Sequence, residues 1–354
     1  MLTACIHILT KLQVNLIRLQ IAAIVIITFT IVEKTQGQDL HYTQYNYSPL
    51  NLNPANTGFS EADYRVVLNH RTQWKSVTVP YKTFSAGLDM KAFALGGNHL
   101  PNTGLGLWIN NDKDGDSHLR TLNVDASFAY FKSLNDSQHV VSAGVIVGYT
   151  QKSFDLTDLT FDQQFTGDLF DPNAPTGEPV NNDKMNYLDI GLGLSAQLFR
   201  SDNFEWDAGV AVQHINKPKN TFYSSGNVKI EPHFIANSSL RLRLADQMQL
   251  LPSILYMKQN SISEFDINAV LKFELDNPQA LISNLYAGAG IRMKDAITLN
   301  AGVDFKNIFA GFSYDINTSG LKRASNGKGA VEFALIYKFR KVRALPPAPP
   351  CIIY

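Results

Sequence analysis

The sequence predicts an all-β protein: a closed antiparallel transmembrane β-barrel of about 14 strands, of the outer-membrane type. Three observations point there. Apolar and polar residues alternate at period two over most of the chain after residue 60. Many segments marked in this way run to ten residues or more, long for soluble strands and right for a tilted membrane crossing. The longest connections between them all fall at one end, as in bacterial outer-membrane barrels.

Composition alone leaves solution and membrane open. The 354 residues carry 31 basic and 31 acidic side chains, and only 18% are charged, against roughly 25% in soluble domains. Aromatics are plentiful, with 21 Phe, 14 Tyr and 3 Trp, and mean hydropathy is −0.11. Zero net charge argues against nucleic acid as a partner, which needs a basic footprint. Many aromatics and few charges argue against disorder. The hydropathy is too low for a bundle of membrane helices.

The first element is a secretory signal at 1–37. Lys11 and Arg18 precede an apolar stretch from Leu19 to Val32, and Thr35-Gln36-Gly37 supplies a cleavage site with small residues at its first and third positions. The stretch is short of the roughly 20 residues that span a bilayer, which disfavours a membrane anchor. Cleavage removes Cys5 and leaves Cys351 alone, so no internal disulfide can form. Stability must then come from a large core or a closed sheet.

A leader, periplasmic or lumenal, is expected at 38–62, and the barrel at 63–340. Leu122, Val124, Ala126, Phe128 and Tyr130 alternate with Thr121, Asn123, Asp125 and Ser127. Phe265, Ile267, Ala269, Leu271 and Phe273 repeat the pattern. Strands are expected at 64–74, 81–91, 103–112, 119–132, 138–151, 186–200 and 203–215. Seven more follow at 234–245, 247–258, 262–274, 281–294, 296–306, 307–317 and 330–340. No convincing amphipathic helix follows the signal. Hydrocarbon cannot satisfy backbone N–H and C=O groups, so a spanning sheet must close on itself. The polar face then lines the interior, with Asp125, Asp189, Glu264, Asp266, Lys272, Asp304 and Lys306 pointing inward.

With both chain ends on the inner side, the connections at 152–185, 216–233 and 318–329 face outward. The last strand, Val331 to Phe339, ends in Tyr337 and Phe339, as expected for aromatics at the inner interface. A Pro-rich tail at 341–354 cannot continue the ladder.

The mature N-terminus reads Gln38-Asp39-Leu40-His41-Tyr42-Thr43-Gln44-Tyr45, then Pro49, Asn53-Pro54-Ala55 and Gly58. Arg71-Thr72-Gln73-Trp74, Pro80-Tyr81-Lys82-Thr83-Phe84-Ser85 and Asn111-Asp112-Lys113-Asp114-Gly115 follow. Together these segments strongly resemble the PorP/SprF family of type IX secretion system membrane proteins. The resemblance implies an outer-membrane barrel of a Gram-negative bacterium. It also implies export or surface attachment of a large secreted adhesin with a type IX C-terminal signal domain, including gliding adhesins. Its expected partners are that adhesin, other type IX components and outer-membrane lipid. The candidate partner-binding residues are Tyr42, Tyr45, Asn53, Pro54, Arg71 and Trp74. The leader aromatics either pack beneath the barrel or plug the lumen and dock a partner. Trp74 suits an interfacial girdle or a partner contact.

No catalytic, cofactor or metal residue is expected. Asp112-Lys113-Asp114-Gly115-Asp116 looks like half a calcium loop, but position 12 is Asn123, which cannot serve as the bidentate ligand. An outer hairpin turn with Gly115 at positive φ explains it. The eight histidines make no metal-binding spacing. Gly104–Gly106, Gly191–Gly193 and Gly288–Gly290 lie inside strands and read as sites of sheet bending and close packing. The expected role is non-catalytic binding of the adhesin. The alternative is a channel for small or lipidic solutes.

Overall fold

The computed structural model describes residues 39–340, apart from 78, 93–101, 116, 135–138, 156–158, 168, 179–182, 223–225 and 276–279. The expected signal at 1–37 and tail at 341–354 lie outside the described residues.

Fourteen strands form one closed antiparallel barrel. They are β1 (Tyr64–Gln73), β2 (Tyr81–Lys91), β3 (Thr103–Asp114), β4 (Leu119–Leu134), β5 (His139–Ser153), β6 (Lys184–Leu198) and β7 (Phe204–Gln213). The second half is β8 (His233–Ala245), β9 (Met248–Gln259), β10 (Ile262–Glu274), β11 (Ile282–Arg292), β12 (Ala296–Phe305), β13 (Ile308–Asn317) and β14 (Lys328–Phe339). Each strand pairs with its chain neighbours. β1 closes the sheet on β14, from Tyr64 opposite Phe339 to Gln73 opposite Ala330. No edge is left open, which is what a sheet surrounded by hydrocarbon requires.

The two faces of the wall are inverted relative to a soluble protein. Leu107, Leu188 and Leu194 are 58%, 61% and 59% exposed on the outside. Asp89, Arg292, Asp315 and Glu332 are buried inside. That apolar-out, polar-in alternation is the pattern of a barrel in lipid.

Four strand ends differ from the sequence reading for one reason. Trp74, Phe199, His214 and Lys306 each take a positive φ, at 55°, 53°, 57° and 53°, and the extended chain stops before them. Lys306 therefore stands exposed in the turn between β12 and β13 and does not line the interior. Gly115 takes φ 61° in the turn after β3.

The connections 154–183, 214–232 and 318–327 share one end, the loop end. The short turns 246–247 and 306–307 lie at the other end, with Tyr64 and Phe339, where the chain enters and leaves the wall. A small hairpin, Phe165–Thr166 with Leu169–Phe170, rises from 154–183. The rings of Phe154 and Phe222 meet edge to face at 4.6 Å and join that connection to 214–232.

Candidate functional site

Residues 40–58 run through the lumen. Local chemistry shapes them into short turns. Pro49 opens the four-residue helix Pro49–Leu52, and Pro54 opens the 3₁₀ turn Pro54–Asn56. Asn53 caps that turn by accepting the Ala55 N–H at 2.9 Å. These compact turns leave many side chains to face the wall.

Toward the loop end, Thr43 sits inside an ionic cage. Its hydroxyl donates to Asp315 at 2.9 Å and accepts from Arg71 Nη1 at 2.9 Å and Arg292 Nη2 at 2.7 Å. One donor and two acceptors are all that a hydroxyl has, so the group is saturated. The Thr43 and Gln44 N–H groups donate to the two Glu332 oxygens at 2.7 and 3.0 Å. Arg71 also pairs with Glu332, and with Asp315 at 3.2 Å. Arg292 reaches Asp315 at 3.2 Å and Glu264 at 3.3 Å. All four of Arg71, Arg292, Asp315 and Glu332 are at most 3% exposed. Charges this deep persist only when paired and hydrogen-bonded.

On either side of this cage the contacts are neutral, until a second ion pair meets Gly58. The Tyr42 hydroxyl bonds Ser85 at 2.6 Å, and the Tyr45 hydroxyl donates to Ser253 at 2.8 Å. Leu50 is fully buried among Val67, Trp108 and Phe309. Tyr47 stacks on Phe309 with ring centroids 4.1 Å apart. Asn53 Nδ2 donates to the Leu194 and Val210 carbonyls at 2.9 and 3.2 Å. Ser142 donates to the Ala55 carbonyl at 2.7 Å, and Thr57 donates to Ser127 at 2.9 Å. The Gly58 N–H donates to Asp89 at 2.7 Å, which Arg65 holds with two nitrogens. A Cβ at Gly104, Gly144 or Gly193 would collide with Thr57, Pro54 and Asn53 respectively. Two of the Gly-x-Gly pairs thus mark where the leader presses on the wall.

Of the six sequence candidates, Tyr42, Tyr45, Asn53, Pro54 and Arg71 meet in the lumen. Trp74 does not. It lies one residue past β1 with φ 55°, packed on Tyr81 at 5.2 Å between ring centroids. The candidates omitted Asp89, Arg292, Asp315 and Glu332. Their signal was a charge at an inward position of a spanning strand, which marks a functional site by default.

On the chain-end side of the leader lies a cavity of about 1110 Å³. Its wall includes Tyr45, Leu52, Asn237, Ser253 and Asn268. Its rim carries Glu61, bonded to Arg200 at 2.9 Å and Arg340 at 2.8 Å. Burial raises the Glu61 carboxyl, but Arg200, Arg340, Lys338 and Arg241 together lower it by more, so it sits below its ordinary value. Among the described residues, no group of three or more His, Cys, Asp or Glu side chains is arranged to hold a metal ion.

A family model described as type IX secretion system membrane protein PorP/SprF matches residues 34–337. No curated protein matches the chain. Among solved structures, the chain is similar to the Ralstonia pickettii toluene transporter TbuX. Identity is 12% over 82% of this chain and 93% of that one, with a TM-score of 0.47. It is also similar to the CymD monoaromatic hydrocarbon channel, at 11% identity over 83% and 93% and a TM-score of 0.46. A Pseudomonas aeruginosa FadL homologue follows at 11% identity over 81% and 93%, with a TM-score of 0.41. Likeness at this level carries no ligand or transport role across.

Proposed function

Because the chain belongs to the PorP/SprF family of type IX secretion system membrane proteins, we propose that this outer-membrane barrel binds a large secreted adhesin and assists its export or surface anchoring. Family and fold are those of a non-enzymatic barrel, and other type IX components are its partners. The observation that carries the proposal is the filled lumen. The leader bonds to wall residues on β1 through β7 and on β9, β11, β13 and β14. A barrel closed in this way is no conduit for a protein, so its work falls to exposed surfaces.

The best surface for the adhesin is the joined pair of connections 154–183 and 214–232. The hairpin in the first exposes Phe165, Leu169 and Phe170, with Leu169 at 75%. Exposed apolar side chains of this kind mark contact sites. Tyr42, Tyr45, Asn53, Pro54 and Arg71 then act indirectly, by fixing the leader and the wall that carries the loops. Trp74 sits at the loop end, within reach of a bound partner.

The test is a strain that lacks the chain, examined by surface proteomics, with pull-down of the adhesin's C-terminal domain by the purified barrel. Loss of one large adhesin from the surface is expected, and excision of 159–178 should abolish its capture. An unchanged surface proteome would sink the proposal. The cavity of about 1110 Å³ favours a second reading, a channel for small or lipidic solutes. That reading requires steady conductance or solute uptake by the purified barrel in planar bilayers.

A further inference from the structure

Three rows of outward-facing side chains cross β2 to β6 in succession toward the loop end, and register fixes each row. The lowest is apolar: Ala86, Ile109, Val124, Tyr149 and Leu188 are opposite one another in turn. Two residues nearer the loop end, Phe84, Asn111, Leu122, Gln151 and Asn186 form a mixed row. Two residues further, the row reads Lys82, Lys113, Arg120, Ser153 and Lys184. The wall thus passes from hydrocarbon-like to amide to cationic within four residues, and it does so on five adjacent strands.

The cationic row is costly as it stands. Lys82 faces Lys113, and Lys113 faces Arg120, directly across the ladder. Like charges placed so destabilise a sheet. All three are exposed, and none forms an ion pair with a described residue. Asp112 and Asp114 alternate with them on β3, so they face the lumen, where Asp112 accepts from Thr83 at 2.6 Å. Arg120 is held by its Nε, which donates to Asn111 at 2.6 Å, and its two Nη groups stay available. On β8 to β10, the outward row Phe234, Lys258 and Ser263 supplies one cation across three strands.

We propose that Lys82, Lys113 and Arg120, with Lys184 at the edge, bind the phosphate groups of the glycolipid in the outer leaflet. The position argues for that occupant. On β2, β3 and β4 the cation stands four residues beyond the apolar position toward the loop end, on the lipid-facing side of the wall, the side that meets the surrounding leaflet. Guanidinium and ammonium groups are the usual donors to phosphate, with Arg able to bind it through two parallel bonds. Acyl chains of the same lipid would lie along Ile109, Val124 and Tyr149 below. The bound phosphate relieves the repulsion between Lys82, Lys113 and Arg120.

The test uses the full-length barrel in non-ionic detergent, with diphosphorylated lipid A, its dephosphorylated form and inorganic phosphate as separate probes. Binding is read by native mass spectrometry and thermal unfolding. The triple variant Lys82→Gln, Lys113→Gln, Arg120→Gln should bind diphosphorylated lipid A on the order of a hundredfold more weakly, at about fivefold per cation. Lys258→Gln should bind like the wild type, and dephosphorylated lipid should not distinguish the proteins. Without lipid, the triple variant should unfold at the same temperature or higher, since repulsion is removed. Equal lipid A binding by the triple variant would overturn the proposal. So would equal stabilisation of the wild type by inorganic phosphate, which would mark a free-anion site. Intact lipid binding with loss of adhesin capture would assign the row to a protein partner instead.

Discussion

The leader is held in two different ways along its length. At Thr43 and Gln44 the wall answers with full charges: two guanidiniums and two carboxylates, nearly sealed from water. From Asn53 to Thr57 it answers with amides, hydroxyls and bare backbone, as at Ser142, Ser127, Gly104 and Gly144. The ionic end is strong only as a set, because removing one member strands another in a dry site. The neutral end tolerates the loss of single bonds but not the addition of atoms. Two distinct kinds of substitution should therefore release the two ends.

The largest effect is expected at the ionic end. Glu332→Gln removes the carboxylate that accepts the Thr43 and Gln44 N–H groups and pairs with Arg71. Breaking one partner of a buried pair costs about 3–5 kcal/mol. Hydrogen exchange should speed at the Thr43 and Gln44 amides while the Ala55 amide stays protected. Equal exposure of both would mean that the leader leaves as one unit, and the comparison would fail.

The converse experiment is Gly144→Val. Its Cβ would occupy the space of the Pro54 carbonyl and the Ala55 nitrogen. Overpacking of this kind costs about 1–3 kcal/mol. Exchange should now speed at Ala55 and Gly58 and leave Thr43 slow. Asn53→Ala comes next, at about 1–2 kcal/mol, since it loses a turn cap and the bonds to the Leu194 and Val210 carbonyls. It should loosen the same end as Gly144→Val, more mildly, without raising conductance.

This division also shows what was legible in the sequence. Alternation at period two is a direct consequence of a wall with two faces, so the strands could be read closely, and β10 appears at 262–274 as expected. The misplaced ends at Trp74, Phe199, His214 and Lys306 depend on positive φ in residues whose type does not announce it. Motif resemblance brought out Tyr42, Asn53 and Arg71. It did not bring out Asp315, Arg292 and Glu332 as their partners. Parity says that each of those points inward, but which inward charges share a level depends on register around the closed barrel. Local pattern does not contain that information. Trp74 illustrates the same limit from the other side: it shares the outward parity of Thr72 and lies one residue beyond β1, so the motif that holds Arg71 does not bring it into the lumen.

The smallest effect is expected outside the lumen, at the rim, and it calibrates the rest. Glu61 bonds Arg200 and Arg340, and its side chain is 60% exposed. Exposed pairs contribute within about 1 kcal/mol and weaken with salt. The carboxyl sits below its ordinary value because Arg200, Arg340 and two more distant cations, Lys338 and Arg241, together outweigh its burial. Its contribution is therefore complete above the ordinary carboxylate range and fades as pH falls through the lowered value. Glu61→Gln should change the unfolding midpoint slightly at neutral pH and low salt, with the difference vanishing in acid or concentrated salt. Glu332→Gln should keep its deficit in salt, because its partners are screened far less. If the two substitutions responded to salt alike, Glu332 would be hydrated in solution. The ionic end of the leader would then lie open to water, and the closed lumen would lose its main support.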